Sequence, residues 1–380
     1  MPAYDAFLLL SFGGPEGPDD VLPFLENVTR GRGVPQERLA AVAEHYYAYG
    51  GVSPINAQNR ELLKSIGAAF AEAGIDLPLY WGNRNWQPFI EETVRQLKED
   101  GARRVIAFVT SAYSSYSACR QYLDDIDRAV AAAGPDAPRI DKVRPYFNHP
   151  GFIEPFAAAV ETALAGLPAA AQENARLVFT AHSVPVGMAA ASGSVSTGTA
   201  LPDTVGGRYV AELGEAARLI SERVRGASLP YDLVFESRSG PPSVPWLEPD
   251  VNDHLAALAK GSLTSGAAVP VPSAVVVVPV GFVSDHMEVV HDLDVEAAQT
   301  AASLGLPFAR AKAPGPTPRF AAMVSELVAE RLSGAVFTST GFASTVPQAL
   351  GTFGPRAYDE DGGSHGCPAD CCRYTPRRPA

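Results

Sequence analysis

A chain of 380 residues with 46% hydrophobic and 19% charged residues has the length for two ordinary domains and the apolar content for a substantial core, which excludes a disordered polypeptide. Its net charge of -12 excludes a nucleic-acid partner bound through a basic stripe. The apolar stretch near the N-terminus has no basic flank, and it and the run 275–280 are too short for an integral membrane segment, so a soluble, cytoplasmic protein is expected.

In chain order, strand character is predicted over residues 6–12, 77–81, 104–110, 176–181, 232–236 and 274–280, and helical periods over 19–28, 88–99, 118–133, 209–225, 251–260, 285–304 and 318–332. Near-continuous apolar strands alternating with helices predict an α/β fold, in which a parallel sheet is flanked by helices on both faces. The repetition suggests two such units, with a break at 110–116 and the helix 318–332 returning to pack across both. Stretches 189–202 and 262–272 read as loops, and periodicity fades from Thr338. Sites in such sheets lie beyond the carboxyl ends of the strands, which singles out 13–15, 111–122, 182–185, 237–245 and 281–288.

Glu288, Asp292 and Glu296 follow the strand 274–280 at four-residue spacing. On an α-helix such residues are offset by about 40° and share a face, so they form either a solvated acidic face or a path for a cation. Glu288 sits at the strand end beside His286, with no Lys or Arg close in sequence, which favours the metal path. His182 ends another predicted strand, and the fold can bring its imidazole to the same cleft as Glu288, where the pair can bind a divalent cation or move protons.

Gly13-Gly14-Pro15 lacks a dinucleotide fingerprint. Arg30 and Arg32 on a Gly-containing loop make either a local anion site or a solvated basic loop. The aromatic and hydroxyl-rich stretches 46–54 and 113–122 suit a flat conjugated ligand with polar edges, although packing also explains tyrosines there. Cys119, Cys367, Cys371 and Cys372 are poor disulfide candidates in a chain with no export signal. Without a C-x2-C pair they favour an iron–sulfur cluster, with zinc and unligated thiols as alternatives.

The stretches Leu-Ser-Phe-Gly-Gly-Pro (10–15), Gly-Gly-Val-Ser-Pro (50–54), Thr-Ala-His-Ser-Val-Pro (180–185) and Gly-Phe-Val-Ser-Asp-His-Met-Glu (281–288) resemble the ferrochelatase family in order and spacing, from about Tyr4 to about Phe342. The three-cysteine tail with the internal Cys119-Arg-Gln resembles the actinobacterial type. The resemblance implies two Rossmann-like domains, at 1–115 and 116–316, with a porphyrin cleft between them. A bridging helical region over 317–342 and a cysteine-bearing tail over 343–380 complete the chain. It implies insertion of Fe2+, the substrate metal, into coproporphyrin III, with protoporphyrin IX as the alternative substrate and a non-catalytic iron–sulfur or haem-binding protein as the alternative class. His182 and Glu288 match the family's catalytic pair, and Asp292 and Glu296 its acidic line. Ser53 and Tyr122 match porphyrin contacts, and Arg30 fits the propionate side. Cys119, Cys367, Cys371 and Cys372 match the ligands of a [2Fe-2S] cluster. Phe12, a further expected substrate contact, stands where several relatives carry a tyrosine able to ligate iron, which a phenyl ring cannot do. A downstream enzyme of the haem route is an implied partner.

Overall fold

The segment Ala6–Ser11 (β1) is buried at every position, as a central strand with helices on both faces must be. In this computed structural model, which describes residues 4–193, 206–226, 229–333, 336–338, 341–344, 348–351, 353 and 371–375, β1 pairs in parallel with Leu79–Asn83 (β2) and Arg104–Val109 (β3), and β3 with Arg139–Lys142 (β4). The order is β2-β1-β3-β4. A second all-parallel sheet repeats the pattern with Ala175–His182 (β5), Tyr231–Glu236 (β6), Ala274–Val278 (β7) and Phe308–Arg310 (β8), in the order β6-β5-β7-β8. In each sheet the chain steps from its first strand to one side and then crosses to the other. That creates a topological switch point, beyond β1 and β3 in one sheet and beyond β5 and β7 in the other, where ligands bind in open α/β sheets. A hairpin, Val336–Thr338 (β9) with Gly341–Ser344 (β10), follows.

The helices are Pro18–Val28 (α1), Gln36–Tyr47 (α2), Ile55–Ala73 (α3), Ile90–Glu99 (α4), Gln121–Ala133 (α5), Pro150–Ala165 (α6), Ala169–Gln172 (α7), Val186–Ala190 (α8), Gly207–Ser221 (α9), Val251–Leu258 (α10), Met287–Val289 (α11), Ala298–Ser303 (α12) and Pro318–Ser333 (α13). Strand alternation decides which layer each side chain joins. Ala6, Leu8 and Leu10 face one cluster with Ile90, Val94 and Ile126 of α4 and α5, and Val178, Val275 and Val277 face another with Leu255 of α10. Phe7, Leu9, Leu177 and Phe179 point the other way, into one shared core with Phe152, Phe156 and Phe320. Each of those fully buried phenyl rings contributes about 2–3 kcal/mol, so the two sheets are fused through this layer. α13 packs against both α3 and α6, bridging the halves.

Two features depart from the expectations. Residues 116–142, expected in the second unit, belong to the first sheet, because β4 pairs with β3 and α5 packs against α4. β4 reads Arg-Ile-Asp-Lys and gave no apolar run; its buried Asp141 is accommodated by the Tyr4 hydroxyl at 3.0 Å and the Arg104 Nε at 2.8 Å. The helix expected over 285–304 runs without a break from α11 through α12, but its middle, Val290–Ala297, is wound as a π-helical segment. A second π-helical segment, Tyr116–Arg120, precedes α5. Much of the tail 343–380, Cys367 included, lies outside the described residues. Among the described residues no helix is long and apolar enough to cross a membrane.

Candidate active site

His182 is the last residue of β5, at the switch point of the second sheet. Its Nδ1–H donates to the Ser183 carbonyl at 2.5 Å, while its own carbonyl accepts from the Tyr209 hydroxyl at 3.1 Å. With Nδ1 engaged as donor, the neutral ring presents Nε2 as a bare lone pair. That nitrogen faces Glu288 Oε2 at 3.8 Å, with the two side chains 32% and 47% exposed. The gap is too wide for a direct hydrogen bond and leaves both groups free to take a proton or a cation.

Glu288 is delivered by the link from β7. His286 caps the start of α11, its Nδ1 accepting from the Glu288 N–H at 3.2 Å. Burial holds the His286 pKa below the usual imidazole value, which keeps that nitrogen an acceptor. The acids that follow ride on the π-helical segment, whose i→i+5 bonding departs from the 40° offset of an α-helix. Such segments occur frequently at functional sites.

Asp292 accepts a hydrogen bond from the Ser237 hydroxyl. Ser237 adopts a left-handed φ of 61°, disfavoured for a residue with a Cβ. Burial, and then the charges of Glu288, Glu296 and Asp250, push the Asp292 carboxyl up to about 7. Glu296 is exposed and lies 3.5 Å from His291 Nε2. The His291 ring stacks on His45 of α2, with centroids 3.9 Å apart. Tyr46 on the same helix has its phenol raised by burial and by Glu288 and Asp292. Met287 packs into the cluster formed by α1 and α2, so the first half closes over the turn that presents Glu288.

One acid escaped the sequence reading. Glu236 ends β6 in direct register with His182 and is 1% exposed, with its Oε2 buried and lacking a hydrogen-bond partner. Burial, followed by Asp292 and Glu288, raises its pKa well above the carboxylate range. Its signal was a charged residue closing an apolar strand at the tip beside His182.

The residues expected to touch a porphyrin lie on the first sheet's side. Phe12 follows β1 and is 37% exposed. Ser53 is buried against the Gly13-Gly14 turn, where a Cβ at Gly14 would come within 2.7 Å of the Ser53 Cβ. Tyr122 is buried beneath the Arg84 guanidinium, 3.8 Å above its ring. Arg84 Nε donates to Asp125 at 2.5 Å, and its Nη2 is buried without a partner. Arg30 is exposed in the turn after α1; burial, then Asp124 and Asp125, raise the Tyr116 pKa, and Arg84 and Arg32 of that turn act against the rise.

Cys119 is buried on the π-helical segment Tyr116–Arg120. Cys371 and Cys372 place their sulfurs 3.5 Å apart, too far for a disulfide and close to the roughly 3.8 Å between two thiolates on one tetrahedral metal. Cys371 acts electrostatically on Arg120, next to Cys119, so this part of the tail returns to the π-helical segment. Among the described residues, no group of three or more His, Cys, Asp or Glu is gathered closely enough to hold a metal ion.

A ferrochelatase family profile matches residues 4–332. The chain is 50% identical over 384 residues to the coproporphyrin III ferrochelatase of Streptomyces coelicolor, covering 99% of this chain and 95% of that protein. It is 55% identical over 332 residues to that of Nocardia farcinica, covering 87% and 89%. Among solved structures, SirB from Bacillus subtilis with Fe3+ aligns with 87% of this chain and 97% of its own, at 14% identity and a TM-score of 0.49. The extent of the family match and the identity to these relatives establish that the chain belongs to the ferrochelatase family.

Proposed function

We propose that the protein inserts Fe2+ into coproporphyrin III, with His182 and Glu288 as the pair that exchanges two pyrrole protons for the metal. The observation that carries this reading is the His182 Nε2 lone pair facing the Glu288 carboxylate at 3.8 Å at a switch point, in a chain half identical to coproporphyrin III ferrochelatases. As iron bonds to the four pyrrole nitrogens, two N–H bonds break and two protons need acceptors. His182 Nε2 accepts one; the imidazolium so formed is stabilised by the Ser183 carbonyl at Nδ1 and by the Glu288 carboxylate. Glu288 exchanges the second with Asp292, whose pKa near 7 allows either protonation state at neutral pH. Asp292 and Glu296 lead outward and attract the incoming cation.

Four propionates on an acidic protein need local cations, and Arg30 and Arg32 stand on the first sheet's side to meet them; exposed Phe12 is a further porphyrin contact of this reading, with Ser53 and Tyr122 buried beneath that surface. Cys119, Cys367, Cys371 and Cys372 form the ligand set proposed for a [2Fe-2S] cluster, supported by the sulfur spacing at Cys371 and Cys372. Bound there, the cluster supplies a four-thiolate cross-link between tail and body. The proposed setting is the cytoplasm, with the product passing to a downstream enzyme of the haem route.

Metallation of coproporphyrin III and protoporphyrin IX by the wild type and His182→Ala tests the reading. The wild type should turn over the four-propionate porphyrin at least about tenfold better by kcat/KM, a difference of about 1.4 kcal/mol in transition-state binding. His182→Ala should bind porphyrin and insert no iron. Equal use of both porphyrins overturns the substrate assignment, and near-normal turnover by His182→Ala overturns the mechanism.

A further inference from the structure

Residues 279–286 join β7 to α11 without helix or strand, yet they must hold Glu288 at a fixed distance from His182. The second half supplies four holds: the Gly281 N–H to the Thr180 carbonyl at 3.0 Å and the Gly315 N–H to the Val283 carbonyl at 2.8 Å, and Arg310 Nη1 and the Ala313 N–H to Asp285 Oδ1 at 2.9 and 3.1 Å. The backbone of Asp285 is gripped from the other half. Gln58 on α3 donates from Nε2 to the Asp285 carbonyl at 3.0 Å, and its Oε1 accepts from the Asp285 N–H at 3.0 Å. Both polar ends of one amide are spent on both backbone groups of one residue. Those groups belong to the peptide units on either side of Asp285, so the arrangement restrains the rotation of both.

Asp285 immediately precedes His286, the cap that starts α11 through the Glu288 N–H. A rotation of the Asp285 peptide therefore swings the cap and, with it, the first turn that aims Glu288. α3 begins just after Ser53, so one helix connects the porphyrin-side wall to the iron-side carboxylate. We propose that Gln58 is a positioning residue that sets the Glu288 carboxylate against His182 from across the cleft. Its kinetic consequence rests on the iron-insertion reading; its structural consequence does not.

The test uses the full chain with Gln58→Leu, and Ser65→Ala as control. Ser65 on the same helix also ties the halves, donating to the Pro316 carbonyl at 3.1 Å, but it bonds to no residue of 279–286. Hydrogen exchange of amides 285–288 in Gln58→Leu should accelerate about tenfold with β7 unchanged. For iron insertion, kcat should fall about tenfold while KM for the porphyrin stays within about twofold, the pattern of a group mispositioned for chemistry rather than for binding. Ser65→Ala should match the wild type in both. Unchanged exchange at 285–288 overturns the proposal, as does faster exchange with wild-type kcat, or a kcat loss matched in Ser65→Ala. Should the wild type insert no iron at all, the functional reading falls, and the exchange measurement alone decides whether Gln58 holds the link.

Discussion

Asp292→Asn should stabilise the metal-free protein above neutral pH and leave it unchanged in acid. The Asp292 carboxyl is raised from 3.8 to about 7, by burial first and then by Glu288, Glu296 and Asp250, against the Ser237 hydroxyl, which lowers it. Below about pH 4 the group is protonated in both folded and unfolded chains, so folding is indifferent to it. Between about pH 4 and 7 the unfolded chain ionises while the folded one does not, and wild-type stability falls as pH rises. Above about pH 7 both are ionised and the loss is complete. Three units at 1.36 kcal/mol each set a ceiling of about 4 kcal/mol; the carboxyl is half-buried, and solvent screening brings the expected gain to roughly 2 kcal/mol. Urea unfolding of both proteins in chelator at about pH 4 and about pH 8 measures it. A pH-independent difference, or an asparagine variant less stable at the higher pH, would show Asp292 to be an ordinary hydrated acid. In turnover the same variant should need more Fe2+ for half-maximal rate. A gain in stability with a loss in iron use is the pattern of a residue kept for function.

Glu236→Gln should follow the same sign, because Glu236 is held neutral by burial: the variant should gain on the wild type as pH rises from about 4.5, and a constant difference in unfolding midpoint would refute it. Asp125→Ala strands the Arg84 guanidinium, whose side chain is 7% exposed, and should cost about 3–5 kcal/mol; a loss below about 1 kcal/mol in denaturant unfolding would mean that the cation finds another partner. Cys119→Ser should abolish the visible chromophore and lower iron per chain in protein purified anaerobically from iron-replete cells; undiminished iron would remove Cys119 from the ligand set.

The strand tips were legible because buried parallel strands announce themselves as β-branched runs. All six strands expected from sequence are present, with ends moved by one or two residues, and all five informative segments begin at or just beyond a strand's carboxyl end. β4 and β8 were not legible: one is polar and matched by arginines, and the other spans three half-buried residues. Missing β4 is what displaced the expected division at 115/116. The helices α2, α3 and α6 were also missed. α3 reads Ile-Asn-Ala-Gln-Asn-Arg at its start, where buried asparagines weaken the apolar stripe that a periodicity reading needs. The π-helical segments are invisible to any reading that assumes 3.6 residues per turn. The nearness of His182 to Glu288 followed from strand tips alone, whereas Gln58 carried no signal, since its work is done on the backbone of a residue 227 positions away.

The treatment of buried acids elsewhere in the chain separates a cation path from a solvated face. Asp141 meets Arg104 and Arg139, Glu330 meets Arg144 at 2.8 Å, Asp125 meets Arg84 and Arg128, and Asp232 meets Arg176 and His254. Those carboxylates lie where the fold needs charge neutralised, and a guanidinium does it. At Glu236 and Asp292 the pattern inverts. The neighbours that shift Glu236 and Asp292 are other acids and two hydroxyls, with no arginine or lysine among them. A solvated face would leave these groups at ordinary pKa values, and a structural cluster would pair them as the rest of the chain does. Acids that are desolvated, mutually repelling and unneutralised make sense where the compensating charge comes and goes. A divalent cation passing inward as protons pass outward meets that condition, and a permanently seated arginine would block it.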